Sequence, residues 1–487
     1  MKLKHGGAEN IRSIEILEDK REYINNISPS FCTAKWLQTT LYLQNGYNHS
    51  CHHPSPHKIP LEEVEANPAA LHNSNFKKQQ RAKMLKGERP AECDYCWNIE
   101  DLGKGYFSDR HTKTADYWAW HRVDEVAQSD PEEDVYPSYL EISFSNACNF
   151  ACAYCTPEAS SKWMKDIKKY GPYPVEFGSH DLEGMKYLEK IPYKTDEYNP
   201  YVDAFNKWFP DALPHLKVFR ITGGEPTMSK DFWKTLDFII ENPREDLEIS
   251  INTNLGVPKE LIDKLITYAK KIDSLCKECV IFTSGEAHGE QAEYVRDGLD
   301  YNYWLSNVRR ILTETECKVV TMTTINALSL PSFTKFLGDI IQLRIDFNEL
   351  GYINRTPISF NYLRFPPHLQ VTILPDYIRS KYAKEISNYV EQWKEEATPL
   401  KHAKFYLEEI DQVKRFCDYM LKETTSGPKY RENFMQFIQH FDIRRDKDFV
   451  STFPEYESLY EEWQEQYAPK LKRDFKNIIK LDLVEVT

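Results

Sequence analysis

The strongest constraint on this chain is a motif of secondary structure that recurs six times. SYLEISF (138–144), LKVFRIT (216–222), LEISINT (247–253), CVIFTS (279–284), KVVTMTT (318–324) and PISFNYL (357–363) are short runs of β-branched and aromatic residues. Helical patterns such as KDFWKTLDFII, KELIDKLITYAKK and the stretches near 300–314 and 331–345 separate them. Strands that alternate with helices of this length predict a parallel sheet, because parallel neighbours need a crossover connection. The predicted fold class is α/β: a partial (β/α)6 TIM-like barrel, with a small cysteine-rich module before it and a helical region after it.

The boundaries follow from texture. Residues 1–30 are a polar N-terminal extension, and 31–123 form a cysteine-rich module. The acidic stretch 124–137 carries two prolines and reads as a linker, 136–365 is the barrel, and 171–215 is an insertion rich in proline and tyrosine. From 375 to 487 the strand signal fades, and YIRSKYAKEISNYVEQWKEE, FYLEEIDQVKRFCDYMLKE and YESLYEEWQEQYAPKLKRDF suit amphipathic helices. A length of 487 residues is about three domains' worth, and 41% hydrophobic content suffices for more than one core. No run of 18 apolar residues predicts a membrane span, and the first residues lack the pattern of a signal peptide. A net charge of −13 argues against a nucleic-acid binder. Eleven cysteines in a leaderless chain read as metal or catalytic chemistry in a reducing cytoplasm, not as disulfides.

Two motifs stand just beyond the first two predicted barrel strands. SNACNFACAYCTPE places Cys148, Cys152 and Cys155 within eight residues, and Gly223-Gly224-Glu225 follows LKVFRIT. In parallel α/β folds chemistry collects at these strand ends, so both motifs are expected to face one pocket. Three thiols leave several readings open. They are a zinc site completed by a distant histidine such as His180, buried thiols, or ligands for three irons of an iron–sulfur cube whose fourth iron stays open.

The C-x3-C-x2-C spacing, with Tyr154 before the last cysteine and GGEP after the next strand, resembles the radical S-adenosylmethionine superfamily over about residues 136–365. The resemblance implies a [4Fe-4S] cluster on Cys148, Cys152 and Cys155 whose open iron chelates S-adenosylmethionine. One electron, from a donor such as flavodoxin or ferredoxin, then yields a 5′-deoxyadenosyl radical that abstracts a substrate hydrogen. It further implies that Gly223, Gly224 and Glu225 approach the methionine amine and that Tyr154 sits near the adenine. Asn254 falls by the ribose or the methionine end. Ser284 and Arg296, in SGEAHGEQAEYVRDG, become candidates for the cofactor carboxylate, with Glu286 and Ala287 where the family pattern has Asp and Gly. No catalytic acid or base is assigned.

At the front, Cys32 and Cys51 flank a predicted hairpin turn at Asn45-Gly46, and Cys93-x2-Cys96 follows later. Four thiols suit either zinc or a closed iron–sulfur cluster. The spacing Cys-x13-Gly-x4-Cys resembles the opening of SPASM and twitch modules, here in the one-cluster form and ahead of the barrel, which implies an auxiliary [4Fe-4S] cluster on Cys32, Cys51, Cys93 and Cys96. Histidines 52, 53 and 57 read as polar packing around that site. Cys276-x2-Cys279, Cys317 and Cys417 read as structural thiols, and the basic run Lys77–Arg89 as a solvated helix face. Aromatics in 95–120 suit either packing around the front thiols or a substrate channel.

The expected function is radical modification of a peptide or protein side chain. The runner-up is modification of a sugar, nucleoside or other small molecule, and the rival from another class is a non-enzymatic zinc scaffold.

Overall fold

The protein is described here from a computed structural model covering residues 14–103, 105–194, 196–348, 354–394, 397–422 and 427–467. The signal-peptide expectation and part of the 1–30 extension fall on residues 1–13, outside the described range, as does the end of the last predicted helix.

The strands, in chain order, are β1 (Gln38–Tyr42), β2 (Tyr47–His49), β3 (His57–Lys58), β4 (Tyr139–Ser143), β5 (Ala151–Cys152), β6 (Val218–Thr222), β7 (Glu248–Asn252), β8 (Glu278–Ser284), β9 (Arg296–Asp297), β10 (Lys318–Met322) and β11 (Ile358–Ser359). All six runs anticipated for the barrel are strands. The fold is mixed α/β with mostly parallel pairing, compatible with a partial TIM barrel.

The chain divides into two compact units. One comprises residues up to 145, 192–252 and 271–279. Its sheet runs β3-β2-β1-β4-β6-β7. Strands β1, β4, β6 and β7 are parallel, in the registers Gln38↔Tyr139, Tyr139↔Val218 and Val218↔Glu248, while β2 and β3 return antiparallel. β1 therefore serves twice. It is the first arm of the front hairpin, as the Asn45-Gly46 turn predicts, and it is also a full parallel neighbour of β4. The strands bury Leu41, Leu140, Ile142, Phe219, Ile221, Ile249 and Ile251 completely. Beside them Trp36, Phe31, Leu37, Trp97, Trp118, Val123 and Val126 form an apolar cluster against which Cys32, Cys51 and Cys93 pack. A fully buried side chain of this size contributes about 1.5–3 kcal/mol.

Two readings of this region change. The stretch 124–137 begins inside a helix, Val123–Gln128, which buries Val126. The basic run is not a solvated face: in the helix Asn75–Leu85, Lys77 and Arg81 are fully buried. Lys77 Nζ donates to Gln38 O (3.4 Å) and meets His72 Nδ1 (3.0 Å), while Arg81 donates to Lys35 O and Asn73 Oδ1. Main-chain and amide oxygens in the core give these two side chains partners out of water.

The other unit comprises 146–191, 253–270 and residues from 280 onward. Here β8, β10 and β11 are parallel neighbours (Val280↔Lys318, Thr321↔Ile358), and β5 pairs antiparallel with β9. After β11 the described elements are helical: Asp376–Gln392, Leu407–Leu421, Arg431–Arg445, Phe449–Thr452 and 457–467. The N–H groups of Ile358 and Phe360 donate to Glu409 Oε1 and Gln412 Oε1, so the helix Leu407–Leu421 covers the strand edge. Among the described residues no helix is long and apolar enough to cross a membrane.

Candidate active site and front thiol site

The cysteine loop of the second unit is held at both ends by its own sequence. Ser160 caps the helix Ser161–Tyr170 by accepting from Trp163 N (3.2 Å), and the same hydroxyl donates to Phe150 O (2.6 Å). The Trp163 indole N–H donates to Cys152 O (2.8 Å), and Cys148 N donates to Ser161 Oγ (3.2 Å). The three thiols share one environment. Burial pushes Cys155 up, and the neighbouring Cys152 and Cys148 add to it. Burial likewise raises Cys152, against the pull of Arg296. Thiols in this state give up their protons only to a cation that replaces them.

Donors already face the sulfurs. Cys148 Sγ accepts from Phe150 N (3.4 Å) and lies 4.0 Å from Asn254 Nδ2, which also donates to Asn149 Oδ1 (2.8 Å). Asn149 in turn donates to Gly256 O (2.8 Å). Asn254 is thus tied to the loop, on the side of Cys148. Arg296 Nη1 lies 3.9 Å from Cys152 Sγ. Arg296 is buried in β9, and its guanidinium pairs with buried Glu286 (2.5 Å) and lies over the Tyr154 ring (5.6 Å). The Tyr154 hydroxyl donates to the same carboxylate (3.0 Å). Ser284 ends β8 opposite Met322. His180, the candidate fourth zinc ligand, is bonded to the Cys155 main chain and packs edge-on against Trp163 (5.2 Å); burial drops its pKa to about 4.

The turn Gly223-Gly224-Glu225 belongs to the first unit, at the carboxyl end of β6. Gly223 has φ +132°, and a Cβ there would lie 2.9 Å from Ser143 Oγ and 3.1 Å from Ser145 O. Only glycine fits this close approach. Gly224 N donates to Ser145 O (3.2 Å), and buried Glu225 accepts from Thr227 N and Oγ1 (3.2 and 2.7 Å).

Also in the first unit, Cys32, Cys51, Cys93 and Cys96 line one hollow, with Lys35, His53, Met84, Trp97, Asp109, Arg110 and Lys113 around it. Burial raises all four thiols, Cys93 to about 12 and Cys96 to about 11. Burial opposes the charge of Lys35, yet Cys93 and its ion-pair partner Glu92 hold its pKa above the ordinary value. His53 bonds Asp109 (2.7 Å) and stacks on Tyr95 (3.6 Å), and His57 meets Ser74 Oγ (3.3 Å), as polar packing would have them. Of the aromatics in 95–120, Trp97 lines the hollow. Cys276, Cys279, Cys317 and Cys417 are buried. Among the described residues no group of three or more His, Cys, Asp or Glu side chains is arranged to hold a single metal ion.

Sequence reasoning missed Lys35, Arg110, Asn149 and the partner role of Glu286. Only Glu286 carried a signal, as a departure from the expected pattern.

Residues 142–276 match the Radical SAM superfamily family model. GTP 3′,8-cyclase of Yersinia pestis is 32% identical over 105 residues, covering 22% of this chain and 23% of that protein. GTP 3′,8-cyclase of Vibrio cholerae serotype O1 is 25% identical over 219 residues, covering 44% and 55%. That of Campylobacter lari is 28% identical over 122 residues, covering 25% and 29%. The chain thus spans from about a quarter to about half of the length of these curated relatives. A crystal structure of Streptococcus suis SuiB bound to S-adenosylmethionine is matched at 14% identity with a TM-score of 0.30, covering 73% of this chain and 68% of that one. Residues 142–276 thus carry a radical SAM superfamily domain, and with it the mark of an enzyme.

Proposed function

We propose that this radical SAM enzyme acts on a small molecule of the nucleotide, nucleoside or sugar class. The observation that carries the radical chemistry is the loop Cys148–Cys155, three half-buried thiols within eight residues, with N–H donors facing the sulfurs of Cys148 and Cys152 and no fourth cysteine beside them in sequence. When bound there, a [4Fe-4S] cluster with S-adenosylmethionine would supply the 5′-deoxyadenosyl radical. Cys148, Cys152 and Cys155 would hold it, Gly223, Gly224 and Glu225 are the candidates for the methionine amine, and Tyr154, Asn254 and Ser284 are the remaining contact candidates.

The front thiols suit a second, auxiliary cluster in a twitch-like module. A zinc ion, with bonds of about 2.3 Å, draws its sulfurs together far more tightly than a four-iron cube does. Four thiols lining one hollow give either group its ligands, and the Cys-x13-Gly-x4-Cys spacing is the reason for preferring the cluster. We accordingly divide the chain into the extension 1–30, the auxiliary module 31–123, the barrel 136–365 and the helical region 375–487.

The expectation of a peptide or protein side chain gives way to the runner-up, because the matched relatives are named for a reaction on GTP. The radical SAM domain sets aside the zinc scaffold. The test is anaerobic purification with iron, sulfide and zinc analysis, followed by assay of 5′-deoxyadenosine with reductant and S-adenosylmethionine. Two clusters per chain and nucleoside product are expected, and zinc at both sites without product would sink the reading. Cys152→Ala should abolish cleavage of S-adenosylmethionine, whereas Cys93→Ala should spare uncoupled cleavage and block substrate turnover. Deuterium transfer into 5′-deoxyadenosine from labelled nucleotides or sugars, and none from peptides, is the expected outcome for the substrate class.

A further inference from the structure

The geometry around Arg296 points to a role other than grasping a cofactor carboxylate. β5 and β9 pair antiparallel with Cys152 directly opposite Arg296, so the two side chains leave the same face of the ribbon. Within that face the guanidinium is already committed. Its Nε and Nη2 donate to Glu286 Oε2 at 3.2 and 2.5 Å, which occupies the side-on fork of the guanidinium. The other carboxylate oxygen of Glu286 accepts from the Tyr154 hydroxyl at 3.0 Å. Nη1, outside that fork, lies 3.9 Å from Cys152 Sγ. Arg296 is 6% exposed and Glu286 1%, so neither charge is screened by water. At Cys148 the sulfur faces a main-chain N–H and an amide, both neutral.

We propose that Arg296 is a positioning residue for Cys152 and a fixed positive charge that favours the reduced state of the centre those three cysteines hold, with Glu286 as the counter-charge that sets its strength. The inference rests on the reading that Cys148, Cys152 and Cys155 carry a redox cluster. Hydrogen bonds to cluster sulfurs and local net charge both move its potential, and partners behind a ligand also fix the ligand's orientation. Adding an electron adds negative charge beside Cys152, so a neighbouring cation makes that step easier and a neighbouring anion makes it harder. Tyr154 holds the Glu286 carboxylate from the far side and keeps the fork aimed at the sulfur.

The test is an EPR-monitored reductive titration of the anaerobically reconstituted full-length chain, in a Cys93→Ala background so that the front site contributes no signal. Arg296→Gln removes the positive charge and keeps an N–H donor, so its midpoint potential should move to more negative values. Glu286→Gln leaves the guanidinium without its counter-charge, so its midpoint should move to more positive values. The double variant should return towards the parent. A brace that merely supports the fold would lower cluster content in both single variants without moving their potentials in opposite directions. Potentials that stay put, or that shift in the same direction, overturn the proposal. If Arg296→Gln fails to hold iron, Glu286→Gln decides alone, a positive shift supporting the proposal and any other result overturning it. Iron lost from both variants in chains that still show native circular dichroism would also overturn it, in favour of a purely structural brace. Absence of any cluster signal in the parent would instead refute the reading on which the inference rests.

Discussion

Gly46 is the residue in the front module whose replacement the structure prices most sharply. It sits at the turn between β1 and β2 with φ +70°, where its N–H donates to Tyr42 O (2.8 Å) and its carbonyl accepts from Ile59 N (2.8 Å). The ring of Tyr201 lies flat against it: a Cβ on residue 46 would fall 2.0 Å from Cζ and 2.2 Å from Cε2. Tyr201 is fully buried, with its hydroxyl bonded to Ile59 O (2.9 Å). It cannot swing into water to make room. Gly46→Ala therefore meets two costs: about 1–2 kcal/mol for placing an L-residue in the left-handed region, and about 1–3 kcal/mol for overpacking against the ring. Set against a typical domain stability of about 5–15 kcal/mol, the loss is large. The assay is urea unfolding followed by circular dichroism, for Gly46→Ala alone and in a Tyr201→Ala background. With the ring gone only the backbone cost remains, so the two substitutions should couple by about 1–3 kcal/mol. Iron per chain should also fall from two clusters towards one, because Cys51 follows five residues after the turn. Equal costs of Gly46→Ala in both backgrounds, or a cost below about 0.5 kcal/mol in the parent, would refute the reasoning.

Other outcomes follow from buried charge. Glu409 binds fully buried Arg344 through both oxygens (2.7 and 3.0 Å) and also accepts from Ile358 N, so Glu409→Ala should cost about 3–5 kcal/mol in urea unfolding, as expected when one partner of a buried pair is removed. Asp442 is raised to about 6, chiefly by burial, against the hydrogen bonds it accepts from the Tyr294 hydroxyl and Phe449 N. The native state then holds that proton more tightly than the unfolded chain does. Its favourable contribution is present below the unfolded pKa of about 3.8 and is lost as pH rises through about 6. Asp442→Asn should flatten the dependence of the urea midpoint on pH between about 4 and 6, and an unchanged slope counts against that assignment.

The amino-acid sequence by itself determined the six strands anticipated for the barrel, because a run such as Leu140–Ile142 alternates with period two and buries one face wherever it pairs. It also determined the thiol sets, since Cys148, Cys152 and Cys155 are neighbours along the chain and the Asn45-Gly46 turn is a local event. What only the tertiary structure decided depends on partners distant in sequence. β1 becomes a parallel neighbour of β4 across about a hundred residues, a pairing that no local pattern encodes. Lys77 and Arg81 look like a solvated face until the core carbonyl of Gln38 and the amide of Asn73 come within reach. Glu286 reads as a departure from a pattern until β9 brings Arg296 opposite Cys152 and the two charges meet out of water. Local periodicity is written in one stretch of chain, whereas a buried charge takes its meaning from whichever group the fold sets against it.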